Sequence, residues 1–144
     1  MSSGGTVVIA DDDPDIRALI ALSVTRAGAV VAADVSTGGA ALDAIRRCVP
    51  DLAILDVSMP GMTGLQVCRA VRADPATSDV RVLVLSAAVD AAAVAEGGAA
   101  GADAYELKPF SPRTLAERVR ELVRPRPPRA TGSESATRFV APEE

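Results

Sequence analysis

Four short apolar runs in this chain each stop at a group able to do chemistry. "TVVIA" runs into Asp11, Asp12 and Asp13. "DLAIL" runs into Asp56, with Val57 and Ser58 behind it. "VRVLVL" reaches Ser86, and "DAYEL" reaches Lys108. Three or more carboxylates at one edge repel each other unless a cation joins them. Oxygen ligands in a chain without histidine suit Mg²⁺ or Mn²⁺. A carboxylate nucleophile, a divalent cation, a hydroxyl and an ammonium form a set for moving a phosphoryl group onto aspartate. Lys108 is the most telling member. The chain has 15 basic residues, and every other one is arginine. A lysine delivers one compact, mobile charge through rotatable donors, whereas arginine is a rigid planar fork.

Each of these residues also has a plainer use. Asp13, before Pro14, is a good helix cap. Asp56 could be a turn residue at a strand end, and Ser86 a turn or cap. Asp34 reads as a solvated loop residue after the second strand. Tyr105 alone would be a half-buried strand aromatic, and Met59 and Met62 packing or loop residues. The argument for chemistry rests on placement after successive strands.

The elements that would position them alternate. Thr6–Ala10 is apolar without alternation, as expected of a strand buried on both faces. Asp13 caps a helix that starts at Pro14 and stops at Gly28. A second strand is expected over Val30–Ala33 and a helix over Thr37–Cys48. Pro50 leads into the third strand, "DLAILDV". The loop "SMPGMTG" follows, then a helix over Leu65–Ala73. "VRVLVLS" is the fourth strand. Asp90–Ala100 is an alanine-rich helix that Gly97 and Gly98 weaken by about 1 kcal/mol each. "DAYEL" is the fifth strand. Ser111 then caps a helix opened by Pro112, with Leu115, Val119 and Leu122 on its buried face. Five β-α repeats predict an α/β fold with a parallel sheet between helix layers. In such a sheet, reactive groups gather beyond the carboxyl ends of the strands. Residues 1–124 form one domain in this reading. Residues 125–144 form a proline-rich flexible tail whose start is extended.

Composition narrows the classes. At 144 residues with 49% apolar content the chain can bury a core, built from aliphatic residues because aromatics are only 2%. A net charge of −4 argues against direct nucleic-acid binding. No apolar run reaches membrane length and no signal peptide is visible, which points to the cytoplasm. Cys48 and Cys68 have no metal-binding spacing and read as reduced thiols.

The segments "VVIADDDPDIRALI", "DLAILDVSMPGMTGLQVCRAVR", "VLVLSAAV" and "GADAYELKPFSPRTLAERV" together resemble the receiver domain of bacterial two-component response regulators, from about Thr6 to Val123. The resemblance implies a flavodoxin-like (βα)5 sandwich with strand order 2-1-3-4-5. It implies that Asp56 accepts the phosphoryl group. Asp11 and Asp12 would hold Mg²⁺, Asp12 directly and Asp11 partly through water, completed by Asp56 and the Ser58 carbonyl. Ser86 would be the switch hydroxyl, Tyr105 the switch aromatic, and Lys108 the site lysine before a cis proline bond.

The function so implied is that of a stand-alone phosphoacceptor switch, which assists its own phosphorylation and dephosphorylation without being an enzyme acting on others. The donor would be a histidine kinase or a histidine phosphotransfer protein. Output would pass through protein contacts, to a downstream target or a second copy, on the surface of the fourth helix, fifth strand and fifth helix. Two other readings stay open: a small Mg²⁺-dependent phosphatase or phosphotransferase of the haloacid-dehalogenase type, and a phosphorylation-independent binding module on the same fold.

Overall fold

The computed structural model describes residues 5–88, 90–123 and 140–142. Among them, strands and helices alternate: β1 (Thr6–Ala10), α1 (Pro14–Arg26), β2 (Val30–Val35), α2 (Gly38–Cys48), β3 (Leu52–Asp56), α3 (Gly64–Ala73), β4 (Arg81–Ser86), α4 (Ala91–Ala99), β5 (Ala104–Leu107) and α5 (Pro112–Val123). The strands form one parallel sheet in the order β2-β1-β3-β4-β5. This is the flavodoxin-like arrangement anticipated from the sequence.

The period of two along each strand divides the core. Val8, Ala10, Ala53, Leu55, Val82 and Val84 face one way, onto Ala41 and Ile45 of α2 and Val67 and Val71 of α3. Val7, Ile9, Leu52, Ile54, Leu83 and Leu85 face the other way, onto Ile20 and Val24 of α1 and Leu115 and Val119 of α5. Both faces of the central strands are therefore covered, which is why their sequences are apolar without alternation. β2, an outer strand of the sheet, shows no fully buried position.

Caps fix where the helices begin. The Asp13 side chain accepts the backbone N–H groups of Asp15 at 2.9 Å and Ile16 at 3.3 Å, in front of Pro14. Thr63 and Gln66 exchange the two bonds of a capping box at the start of α3. Ser111 accepts the Thr114 N–H ahead of α5. One strand runs longer than its sequence indicates. β2 continues to Val35, so Asp34 pairs with Ile9 in the sheet and does not sit in a loop. Arg17 of α1 donates to it at 2.6 Å, which supplies the charge partner that a loop carboxylate would find in water.

A buried charge clip joins α3 to the entrances of β4 and β5. Arg72 donates to Asp103 Oδ2 at 2.6 Å and to the carbonyls of Gly101, Val80 and Ser78. Asp103 also accepts the Val82 N–H at 2.8 Å. With both side chains largely buried, removing the cation leaves a carboxylate in a poor solvent. Arg72→Ala is expected to cost about 3 kcal/mol, read as a fall in the urea midpoint at unchanged slope.

α4 carries a packing constraint not apparent from its composition. A Cβ at Gly97 would lie 2.7 Å from Cδ2 of Tyr105, so the glycine makes room for that ring. Most of the expected tail falls on residues outside those described. Within the three that are described, Val140 forms a parallel bridge to Ala104 of β5.

Candidate functional site

Because all five strands run the same way, their carboxyl ends share one edge, and the residues just past them converge there. Asp11 follows β1 directly and is fully buried. Its amide donates to the Val35 carbonyl and its carbonyl accepts from Arg17, so its backbone is held from both sides. Asp12 is exposed. Asp56 closes β3 and is 4% exposed. One carboxylate oxygen from each of Asp11, Asp12 and Asp56 lies within 4.8 Å of the others. Asp13 is not in this group; its side chain is spent on the α1 cap.

Lys108 reaches this cluster from the end of β5. Its Nζ stands 3.1 Å from Asp56 Oδ1 and 3.0 Å from Asp11 Oδ2. The contact to Asp56 is a hydrogen bond. The contact to Asp11 is an ion pair to a buried carboxylate oxygen, with a less well aligned hydrogen bond. Burial alone would lower the lysine's pKa, but hydrogen bonds and charge from Asp11 and Asp56 outweigh it and raise the value. Asp56 is pushed up first by burial and further by the charge of Asp11; Lys108 and the Ser58 backbone N–H pull it part of the way back. Three crowded carboxylates around one lysine make a site deficient in positive charge. An all-oxygen set of this kind fits a hard divalent cation.

Ser86 ends β4 with its side chain nearly buried. Its hydroxyl accepts the Ala88 N–H at 3.0 Å, and its carbonyl accepts the Lys108 N–H at 2.9 Å. Tyr105 is 1% exposed, and its hydroxyl donates to the Ala88 carbonyl at 3.0 Å. Both residues therefore hold the same turn after β4. The Lys108–Pro109 bond is cis. Ser58 lies exposed two residues beyond Asp56.

Two neighbours of the site escape sequence reasoning. A Cβ at Gly64 would lie 2.3 Å from the Asp56 carbonyl oxygen, so α3 starts directly against the backbone that carries the carboxylate. Its only sequence signal is membership of a glycine- and proline-rich loop. Arg17 binds both the Asp11 carbonyl and Asp34; a helical arginine gives no sign of this.

Comparison with known proteins gives a consistent picture. Residues 7–120 match the family model for the response regulator receiver domain. The DNA-binding response regulator MtrA of Mycolicibacterium smegmatis is 40% identical over 118 residues, which are 82% of this chain and 50% of that protein. The transcriptional regulatory protein CseB of Streptomyces avermitilis is likewise 40% identical over 82% of this chain and 48% of its own length. The chain thus spans about half the length of the curated relatives it matches. Among solved structures, the chemotaxis response regulator CheY4 of Vibrio cholerae superposes with a TM-score of 0.77 at 30% identity, covering 83% of this chain and 99% of that one. A DNA-binding response regulator of the LuxR family from Staphylococcus aureus gives 0.76 at 26% identity, again over 83% and 99%.

Proposed function

The chain belongs to the response regulator receiver domain family, and on that premise we propose that it accepts a phosphoryl group on Asp56 in a Mg²⁺-dependent reaction and signals through protein contacts. The observation that carries this is the bridging of Asp56 and Asp11 by the chain's single lysine, at 3.1 and 3.0 Å, beside a three-carboxylate cluster. A histidine kinase or histidine phosphotransfer protein is the donor in this reading. A carboxylate oxygen of Asp56 attacks phosphorus, the P–N bond of the phosphohistidine breaks, and its electron pair returns to the imidazole. Asp11, Asp12, Asp56 and the Ser58 carbonyl are the groups that would hold Mg²⁺ or Mn²⁺, which offsets charge on the incoming phosphoryl oxygens. Lys108 already stands at Asp56 Oδ1 and can follow a phosphoryl oxygen with the same ammonium. Ser86 can turn its hydroxyl from the Ala88 N–H to that group. This frees the turn on which the Tyr105 hydroxyl rests and gives the change a path to α4. The domain assists its own modification and acts on no other substrate.

The test is incubation with acetyl phosphate and Mg²⁺, followed by mass mapping of the labelled residue. One phosphoryl group at Asp56, lost when the cation is chelated, is the expected result. No label under any donor would reject the reading, and multiple turnover on small phosphate esters would favour a phosphatase.

The three consecutive aspartates make a separate test. Asp12→Ala should weaken Mg²⁺ binding at least tenfold, followed by thermal shift, while Asp13→Ala should lower stability by about 1 kcal/mol through its lost cap and leave Mg²⁺ binding unchanged. The opposite pattern would move the ligand set by one residue.

A further inference from the structure

The sheet has two edges, and they are treated differently. Among the described residues no strand pairs with the outer side of β2, where Val30 is 59% exposed. β5, the other edge, has Ala104 and Tyr105 buried, and at its start two outer backbone groups are taken. The Tyr105 N–H donates to the Val140 carbonyl at 3.1 Å, and the Val140 N–H donates to the Asp103 carbonyl at 2.7 Å. Ala104 and Val140 are parallel partners. An N–H and a C=O of a sheet edge are the groups that otherwise recruit another strand. Here a segment of the same chain fills both.

We propose that Val140–Pro142 is an intramolecular edge cap, which occupies the outer side of β5 at its start and excludes any other strand, including one from a second copy, from pairing there. The contact is small by construction. It consists of one bridge, and Val140 remains 40% exposed. Pro142 lacks an N–H, so the ladder cannot extend through it. What makes so slight a contact persist is tethering: a segment on its own chain meets the edge intramolecularly, at an effective concentration that a separate strand has to match. Such a cap is closed in the isolated chain and yields to a partner offering a longer strand.

The cap also meets the site's aromatic. The amide of Tyr105 points out to Val140, while its ring packs at Gly97 and its hydroxyl reaches Ala88. One residue thus touches both the cap and the turn after β4, and displacing the cap frees the strand that carries it. The capping itself rests on backbone pairing, so it stands or falls independently of phosphoryl transfer.

Amide hydrogen exchange on the full chain, with and without single substitutions, is the test. Val140→Pro removes the N–H that Asp103 accepts, whereas Val140→Ala keeps it. The Tyr105 amide should exchange at least tenfold faster in Val140→Pro and within about twofold of wild type in Val140→Ala. The Asp103 amide, which donates inward to the Val82 carbonyl at 2.8 Å, should be unchanged in both and shows that the sheet is intact. Wild-type protection of Tyr105 should not vary with protein concentration. Equal Tyr105 exchange in wild type and Val140→Pro would overturn the cap. So would protection that grows with concentration, since a second copy would then be the occupant.

Discussion

Asp56→Asn is expected to abolish labelling by acetyl phosphate while the chain stays folded. The amide nearly preserves the shape of the carboxylate at the end of β3, but its oxygen is no nucleophile toward phosphorus. The pH dependence of stability tests the physical cause. Burial, reinforced by Asp11, raises the Asp56 carboxyl above its ordinary 3.8. An acid so raised favours the folded state most below its unfolded value, and that contribution is lost as pH rises through the folded one. Without divalent cation, wild type therefore carries the penalty at pH 7 and the asparagine chain does not. The variant should melt higher at neutral pH, with the gap closing as pH falls toward 3.8. A variant that melts lower at pH 7 would mean that the lost Lys108 contact outweighs the burial. Label appearing in full at another residue would remove Asp56 from the acceptor role.

Gly64→Ala should disable the same carboxylate from behind. The added methyl would meet the Asp56 carbonyl at 2.3 Å and its carbonyl carbon at 2.9 Å. Those are backbone atoms at a buried strand end, with no rotamer to relieve the clash, so β3 or the start of α3 must move. Overpacking of this kind costs about 3 kcal/mol, or roughly 10 °C in Tm. The displaced Asp56 backbone should also lower the labelling rate at least tenfold in chain that is still folded. A control at Gly39, where a Cβ would meet nothing within 4 Å, should leave labelling unchanged. If Gly64→Ala and Gly39→Ala label alike, the close approach does not position the acceptor.

The sequence was informative where a residue's environment follows from its own segment. Asp11, Asp56, Ser86 and Lys108 stand directly after apolar runs, and a parallel sheet has to bring such positions to one edge. Asp13 could be separated from its neighbours because Pro14 marks the helix start that it caps. The site's supports were not legible, since each depends on a partner far along the chain. Arg72 looks like any arginine in a helix's last turn until β5 delivers Asp103 to it. Gly97 reads as a helix weakener, although what it meets is the ring of Tyr105. Asp34 reads as a solvated loop residue after the second strand; it lies within β2, where Arg17 supplies its charge partner. The prolines near the terminus argue against a strand there, yet Val140 needs only its own N–H and C=O to bridge β5.

The arginine bias of the chain has a practical side. With Lys108 as the only lysine, an amine-selective reagent has one side chain to find, and that side chain lies inside the site. Its side chain is 20% exposed and its ammonium is held charged by two carboxylates, so acylation should be slow and should respond to whatever next occupies the pocket. Apart from the terminal amine, which separates readily by peptide mass, the chain carries a native single-position probe. The extent of acylation at Lys108 reports site occupancy in a mixture, without a fluorophore, an isotope or any engineered residue.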